Sequence, residues 1–276
     1  MGLSVYNNVE AQNAHRLLSS TNSAVSKSIE RLSSGLRINH AADDAAGLAV
    51  SEGMRSQIRG MNVASRNAQD GISMVQVADG GLGTVGDMLQ RVRDLAVQAS
   101  NGTLTDAQRS NLNVEVQQIL TEVGRTGTDT QFNGLKILAG SVATAASAVT
   151  LQVGANASQS IAFTIGTVSA SDLGISGIAV SSAASASAAI ASLDAAISTV
   201  TTARANLGAI QNRLENTISR LDITAENTQA AESRIRDADM AQEMIGFTKN
   251  QILQQSGMAM LAQANQAPQS ILSLLR

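Results

Sequence analysis

The sequence predicts a mainly α protein: a long antiparallel coiled-coil helical bundle with a small β-hairpin. Three observations carry that reading: two heptad seams of aliphatic and small residues, a near absence of aromatic side chains, and one short alternating stretch around a glycine turn. The 276 residues include no Trp or Cys, one Pro (Pro268), one Tyr (Tyr6) and three Phe (Phe132, Phe163, Phe247). Aromatic side chains carry much of the buried area of most globular cores. A core here must therefore come from Leu, Ile, Val, Met and Ala, which suits long helices with thin seams.

The elements follow in chain order. Leu18, Val25, Ile29, Leu32 and Leu36 predict an N-terminal helix, diluted with Ser and Asn. Every seventh residue from Met61 gives Met61, Ala68, Val75, Leu82, Leu89 and Ala96. The row offset by three gives Ala64, Gly71, Ala78, Val85, Val92 and Ala99. That a/d seam predicts one helix roughly 60 Å long at 1.5 Å per residue. Thr105 and Gln108 form a capping-box pair after the Asn101-Gly102 turn, and Leu112, Val116, Ile119 and Val123 make the stripe of a third helix. Gly124, Gly127 and Asn133-Gly134 are expected to end it. A hairpin near 149–166 follows, with Leu151 and Val153 alternating, Gly154-Ala155-Asn156 turning, and Ile161, Phe163 and Ile165 returning. The second seam is Leu193, Val200, Leu207, Leu214 and Leu221, and each long seam can serve the other as partner. At the C-terminus Ile245, Ile252 and Ala259 repeat every seven, as do Leu253 and Met260. Both terminal stretches are thinly apolar, so residues 1 to about 40 and about 240 to 276 are expected to order only against a partner.

The stretch ISMVQVADGGLGTVGDML (Ile72 to Leu89) contains Gly81-x-Gly83-x-x-Gly86, with Asp106 about twenty residues on, as in a dinucleotide-binding turn. The heptad phase runs straight through it and places Leu82, Val85 and Leu89 on the seam. A phosphate-binding turn would break that phase, and no alternating strand–helix pattern surrounds it. These glycines are therefore expected inside a helix.

Charge and composition narrow the function classes. A net charge of −3 and a pI near 5.4 argue against nucleic acid, which needs clustered Lys and Arg. Between Lys136 and Asp194 the only charge is Asp172, yet recurring Ser and Gly leave too little apolar density for membrane insertion. The absence of cysteine removes disulfides and Cys-based metal sites. His40 with Asp43 and Asp44 offers too few ligands for a metal centre and reads as a polar joint. His15 reads as a surface or interface residue, and Asp70, Asp79 and Asp94 as solvated helix faces. Met61, Met240, Met244 and Met260 sit at seam-compatible positions and are expected to fill core space. No catalytic, cofactor-binding or metal site emerges. The polar N-terminus lacks the apolar segment of a cleavable signal peptide, which predicts the cytosol or an export route that needs none.

Several long motifs resemble bacterial flagellin. ERLSSGLRIN (Glu30 to Asn39), DDAAGLAVSEGMRSQIRG (Asp43 to Gly60), QRVRDLAVQA (Gln90 to Ala99) and FNGLKIL (Phe132 to Leu138) are similar to its N-terminal half. LGAIQNRLENTI (Leu207 to Ile218), SRIRDADMAQE (Ser233 to Glu243) and ILQQSGMAMLAQANQAPQSILSLLR (Ile252 to Arg276) are similar to its C-terminal half, and LQVGAN (Leu151 to Asn156) to its hairpin. The resemblance covers all but about 140–147 and 175–187.

It implies a filament-forming structural subunit, exported unfolded through the flagellar type III channel and assembled outside the cell at the filament tip. By resemblance, residues 1–44 and 237–276 would pair as an inner coiled-coil domain, the filament core. Residues 45–236 would form the bundle, with a surface loop near 175–187 and no outer domains. Functions that other flagellins place in outer domains, a zinc-peptidase insert among them, are therefore in doubt. The implied subunit-packing residues are Leu18, Val25, Ile29, Leu32, Leu36, Ile245, Ile252, Leu253, Met260, Leu272 and Leu275. The implied partners are copies of itself, an export chaperone, a cap protein and the vertebrate toll-like flagellin receptor. For that receptor Arg91, Leu95 and Glu115 occupy the family's contact positions, with Asp94 replacing a more usual glutamate. Hook–filament junction proteins share the terminal patterns, and a coiled-coil signalling hairpin shares the heptads; both are the alternatives. The crowding of Gly80, Gly81, Gly83 and Gly86 departs from the family pattern. It reads either as a soft spot for filament curvature or as room for a close neighbour.

Overall fold

The computed structural model describes residues 7–144 and 147–274, with 267–274 described as helix without their side chains. The chain divides into two compact units, residues 1–56 with 227–276, and residues 57–226.

Three helices build the unit 57–226: α2 (Ala45–Ser100), α3 (Asp106–Asp129) and α4 (Ala183–Arg236), of which α2 and α4 also supply residues to the other unit. The predicted seams are its core. Ala68, Val75, Leu82, Leu89 and Ala96 are at most 1% exposed, as are Ala64, Ala78, Val85, Val92 and Ala99. Leu193, Val200, Leu207, Leu214 and Leu221 answer from α4, all buried. Val116, Leu120 and Val123 of α3 join the main cluster with the α2 seam from Val75 to Ala99 and with Leu193, Val200 and Leu207, and Leu112 and Ile119 pack against it. Because α3 as well as α4 packs on α2, the buried face of α2 is wider than two heptad rows and takes in Leu95 and Met74.

The α2–α3 turn is held by one buried cation. Arg109 donates from Nε to the Ala99 carbonyl (2.9 Å) and from Nη2 to the Asn101 carbonyl (3.0 Å), and pairs with Asp106 at 2.8 Å. These bonds satisfy carbonyls that a helix end leaves orphaned. The capping box forms as expected, with Thr105 and Gln108 exchanging side-chain-to-backbone bonds.

Helix α2 is unbroken from Ala45 to Ser100, so the glycine-rich run is helical. Its glycines differ in surroundings. A Cβ on Gly81 would stand 2.8 Å from Leu138 Cδ1 and 3.0 Å from Thr130 Oγ1, while Gly80 faces open space. Gly83 and Gly86 have only ordinary room, near Arg204 and Val200. Close approach therefore accounts for Gly81 and leaves the other three without a packing requirement.

Two expectations need correction. Helix α3 does not stop at Gly124 or Gly127 but continues to Asp129. A helical glycine costs only about 1 kcal/mol, and at Gly127 the missing side chain seats the Val168 carbonyl, 2.6 Å from where a Cβ would lie. The stretch 175–187 is only partly a surface loop: Ser176, Gly177, Ser181 and Ser182 are exposed, but apolar side chains anchor it. Ile175 and Val180 are 0% exposed, Ile178 is 8% exposed, and α4 has begun by Ala183 with Ala186 buried. Asn113 and Gln117, one turn apart on α3, hold this segment by its backbone: Val180 N–H donates to Asn113 Oδ1 (2.9 Å) and Gln117 Nε2 donates to the Ile178 carbonyl (2.6 Å). Its Ser- and Ala-rich composition disguised an anchored strap, because apolar residues at irregular spacing match neither periodicity.

Two antiparallel hairpins pack beside the helices. In the first, β1 (Gln131–Phe132) pairs β2 (Leu135–Lys136) across Asn133 and Gly134, both at positive φ (49° and 78°) as a two-residue turn requires. In the second, β3 (Val149–Gln152) pairs β4 (Ser160–Phe163) in the register Val149↔Phe163 to Gln152↔Ser160. Its Leu151 side chain fills the space over Gly71 of α2.

By length and hydropathy, the N-terminal part of α4 could cross a membrane. Its hydropathy comes from alanines and from four large aliphatics, of which Ile190 and Ile197 pack against the core cluster. The other two, Leu193 and Val200, face the core, and exposed Asp194 pairs with Arg93 at 2.6 Å. Here it is a packed bundle helix.

Candidate functional site

The unit 1–56 with 227–276 is built differently. Helix α1 (Val9–Ser34) lies antiparallel to α5 (Met240–Leu274). Asn8 caps α1 by accepting from Ala11 N–H (3.0 Å) and donates from Nδ2 to the Ala264 carbonyl (2.7 Å). Gln254 donates to Asn22 at 2.8 Å, and Arg31 lies 3.8 Å from Glu243. Gly257 leaves room for Leu18, whose Cδ1 would meet a Cβ there at 3.4 Å. Contacts 8–264, 18–257, 22–254 and 31–243 mark an antiparallel register with few apolar groups in it. Among the described side chains of α1 and α5 only Ser28 is buried.

The chain leaves both helices through a paired connector. Gly35 caps α1 at φ 71°, where its N–H donates to the Arg31 carbonyl (2.8 Å). Ala238 N–H donates to the Gly35 carbonyl (2.9 Å) and Arg37 N–H to the Arg236 carbonyl (2.6 Å), so Leu36 bridges Asp237. Arg236 pairs with Glu52 at 2.6 Å. Its hydrogen bond, with that of Arg55, holds the Glu52 carboxyl below the usual carboxylate range. Asp43 is lowered too, chiefly by Lys27 and then by the His40 N–H. His40 itself donates to Glu30 across 2.8 Å, and Asp44 accepts from Gly47 N–H. The side chains of His40, Asp43 and Asp44 thus bond to Glu30, to Lys27 with the His40 N–H, and to the Gly47 N–H, as a polar joint between two helices. Asp79 is on an exposed face of α2, where Arg204 pairs with it at 2.8 Å.

What this unit leaves uncovered includes large apolar side chains. On α5, Ile245 is 72% exposed, Met260 65%, Ile252 58% and Leu253 47%. Ile29 of α1 is 52% exposed. Met244, Ile245, Thr248, Lys249, Ile252 and Leu253 line a depression of about 480 Å³ in which Lys249 is the only charge. Contiguous exposed apolar surface of this kind marks an interaction site. Met240, Met244 and Met260, expected to fill core space, are 46–65% exposed, because the side of α5 toward α1 is occupied by Glu243, Gln254 and Gly257. Leu18, Val25, Leu32 and Leu36 are half-buried within the unit. Leu275 lies outside the described residues, as does the side chain of Leu272.

These observations coincide with family relationships. Residues 5–143 match the family model of the bacterial flagellin N-terminal helical region, and residues 190–275 that of its C-terminal helical region. The chain belongs to the bacterial flagellin family. Among curated flagellins it is 51% identical over 284 aligned residues to flagellin FlaB2 of Treponema pallidum (strain Nichols), covering 99% of both chains. It is 50% identical to the flagellar filament 33 kDa core protein of Treponema phagedenis, again over 99% of both. The flagellin of Halalkalibacterium halodurans is likewise 50% identical at 99% coverage of both. Alignment along nearly the whole of each chain is consistent with a small flagellin that has no outer domains.

The flagellin receptor positions fare unequally. Arg91 and Glu115 meet at 2.7 Å on the exposed surface of α2 and α3. Leu95 is 2% exposed and belongs to the core cluster. It follows Val92 by three positions and so shares its inward face. It is not available as a surface anchor, which corrects the expectation for that residue.

Proposed function

We propose that this flagellin is the structural subunit of a bacterial flagellar filament, polymerising outside the cell to give motility, and that it has no catalytic role. The observation that carries this is the apolar surface of α5, where Ile245, Ile252, Leu253 and Met260 stay exposed although the helix lies against α1. Subunit packing is assigned to that surface, with Ile245, Ile252, Leu253 and Met260 as contacts, Ile29 contributing from α1, and Leu18, Val25, Leu32, Leu36, Leu272 and Leu275 by resemblance. The unit 1–44 with 237–276 is the filament core in this reading, and 45–236 the surrounding bundle. Export unfolded through the type III channel, an export chaperone and assembly under a cap protein follow from the family alone. Seeding purified monomer with filament fragments and imaging by negative stain tests the reading. Long filaments are expected, and none from a chain lacking Ile252 to Arg276. A monomer that stays soluble with seeds at high concentration ends the proposal.

The same reading extends to recognition of the monomer by the vertebrate toll-like flagellin receptor, now through Arg91 and Glu115. A guanidinium fork offers several donors in fixed geometry, and both side chains are accessible. Arg91→Ala is expected to lower receptor activation about tenfold, the value of one lost charged contact of about 1.4 kcal/mol. A reporter assay in which Arg91→Ala matches the parent removes this partner.

A further inference from the structure

We propose that Met240, Met244, Met258 and Met260, the exposed methionines of α5, are peroxide-sensitive and that their oxidation blocks association with a second copy of the chain. This rests on the assignment of α5 to self-assembly. The sequence has nine methionines and no cysteine, so thioethers are the sulfur groups that meet an oxidant. The described methionines split by location. Met61 and Met74 are 6% and 5% exposed in the bundle core, and Met54 and Met88 are half-buried. Met240, Met244, Met258 and Met260 are 46%, 50%, 51% and 65% exposed, and all four are on α5. Met244 lines the apolar depression beside Ile245, Ile252 and Leu253, and Met240 precedes it by one turn on the same face.

The chemistry needs only hydrogen peroxide. The thioether sulfur attacks one peroxide oxygen, the O–O bond breaks, an S–O bond forms, and the second oxygen leaves as water. Sulfur loses two electrons and the peroxide gains them. The product is a polar, chiral sulfoxide where an adaptable apolar side chain stood. In the monomer that oxygen is solvated at little cost, because these side chains are already 46–65% exposed. At a subunit contact it must lose water, and a buried polar group without a partner is unfavourable. Oxidation therefore acts on assembly and spares the fold. A dithiol with the two epimer-specific sulfoxide reductases returns the thioether, with disulfide and water as the other products.

The test uses the full chain. Soluble monomer is titrated with hydrogen peroxide, sulfoxides are located by peptide mass spectrometry, and the critical concentration for seeded polymerisation is measured alongside. The α5 methionines should gain oxygen before Met61 and Met74, and the critical concentration should rise about tenfold or more. Circular dichroism of the monomer should not change, and reductase treatment should restore assembly. The variant Met240→Leu, Met244→Leu, Met258→Leu, Met260→Leu keeps the apolar volume, and should polymerise like the parent before and after peroxide. Oxidised α5 with an unchanged critical concentration overturns the proposal, and so does equal peroxide sensitivity in the leucine variant. Untreated parent that fails to polymerise overturns the assembly assignment itself, and this proposal with it.

Discussion

Ile245→Asp combined with Ile252→Asp yields a monomer that melts like the parent and no longer forms filaments. Both side chains are mostly in water in the monomer, 72% and 58% exposed, so their replacement removes little packing. Surface changes of that kind ordinarily move stability by no more than about 0.5 kcal/mol. Helix propensity falls slightly with aspartate, which stays within that margin. In the polymer the balance reverses. Each isoleucine buried at a subunit contact contributes about 1.5–3 kcal/mol, and an unpaired carboxylate at the same place costs more than the lost burial. A combined loss of about 4 kcal/mol already raises the critical concentration roughly a thousandfold. Sedimentation after seeding reads the assembly, and a thermal melt by circular dichroism reads the monomer. Pelleting at the parent's concentration would remove α5 from the interface, whereas a collapsed melt would mean that these side chains support the monomer.

Gly127→Ala destabilises the bundle by about 1–3 kcal/mol, the usual cost of overpacking, although alanine is the better helix former. Intrahelical glycine alone predicts a gain of about 0.5–1 kcal/mol on substitution. The added methyl, however, would lie 2.6 Å from the Val168 carbonyl oxygen, a backbone atom with no rotamer to change. Val168 is itself fixed, being 2% exposed and donating its N–H to the Leu138 carbonyl at 3.0 Å. Either α3 or the segment after β4 must move. Gly80→Ala is the matched control, with the same chemistry on α2 and open space around the position. It should raise stability by about 0.4–1 kcal/mol. Urea melts of the two variants should move the midpoint in opposite directions. A stabilised Gly127→Ala would show that the Val168 segment yields freely and is no fixed part of the core.

The sequence by itself determined the helices and their phase. A heptad row such as Val75, Leu82, Leu89 and Ala96 states its own buried face, because residues seven apart return to nearly the same side of a helix whatever packs there. The same phase settled the glycine-rich run as helix, and the capping box at Thr105 and Gln108 needed only local geometry. Family membership was legible in the linear motifs, which owe nothing to tertiary contacts.

Tertiary structure decided everything that depends on how many neighbours a residue meets. Leu95 became core because α3 covers a second face of α2, a fact no single helix encodes. The α5 methionines share the heptad positions of core residues, yet they are exposed because Glu243, Gln254 and Gly257 take the side toward α1. The segment 175–180 is irregular in its apolar spacing, and Ile175, Ile178 and Val180 are buried where Asn113 and Gln117 satisfy its backbone from another helix. Gly127 resembles a helix stop until the Val168 carbonyl is seen to occupy the space its side chain lacks. Periodicity reports the direction of a side chain from its own helix axis, and only the packed chain supplies what stands in that direction.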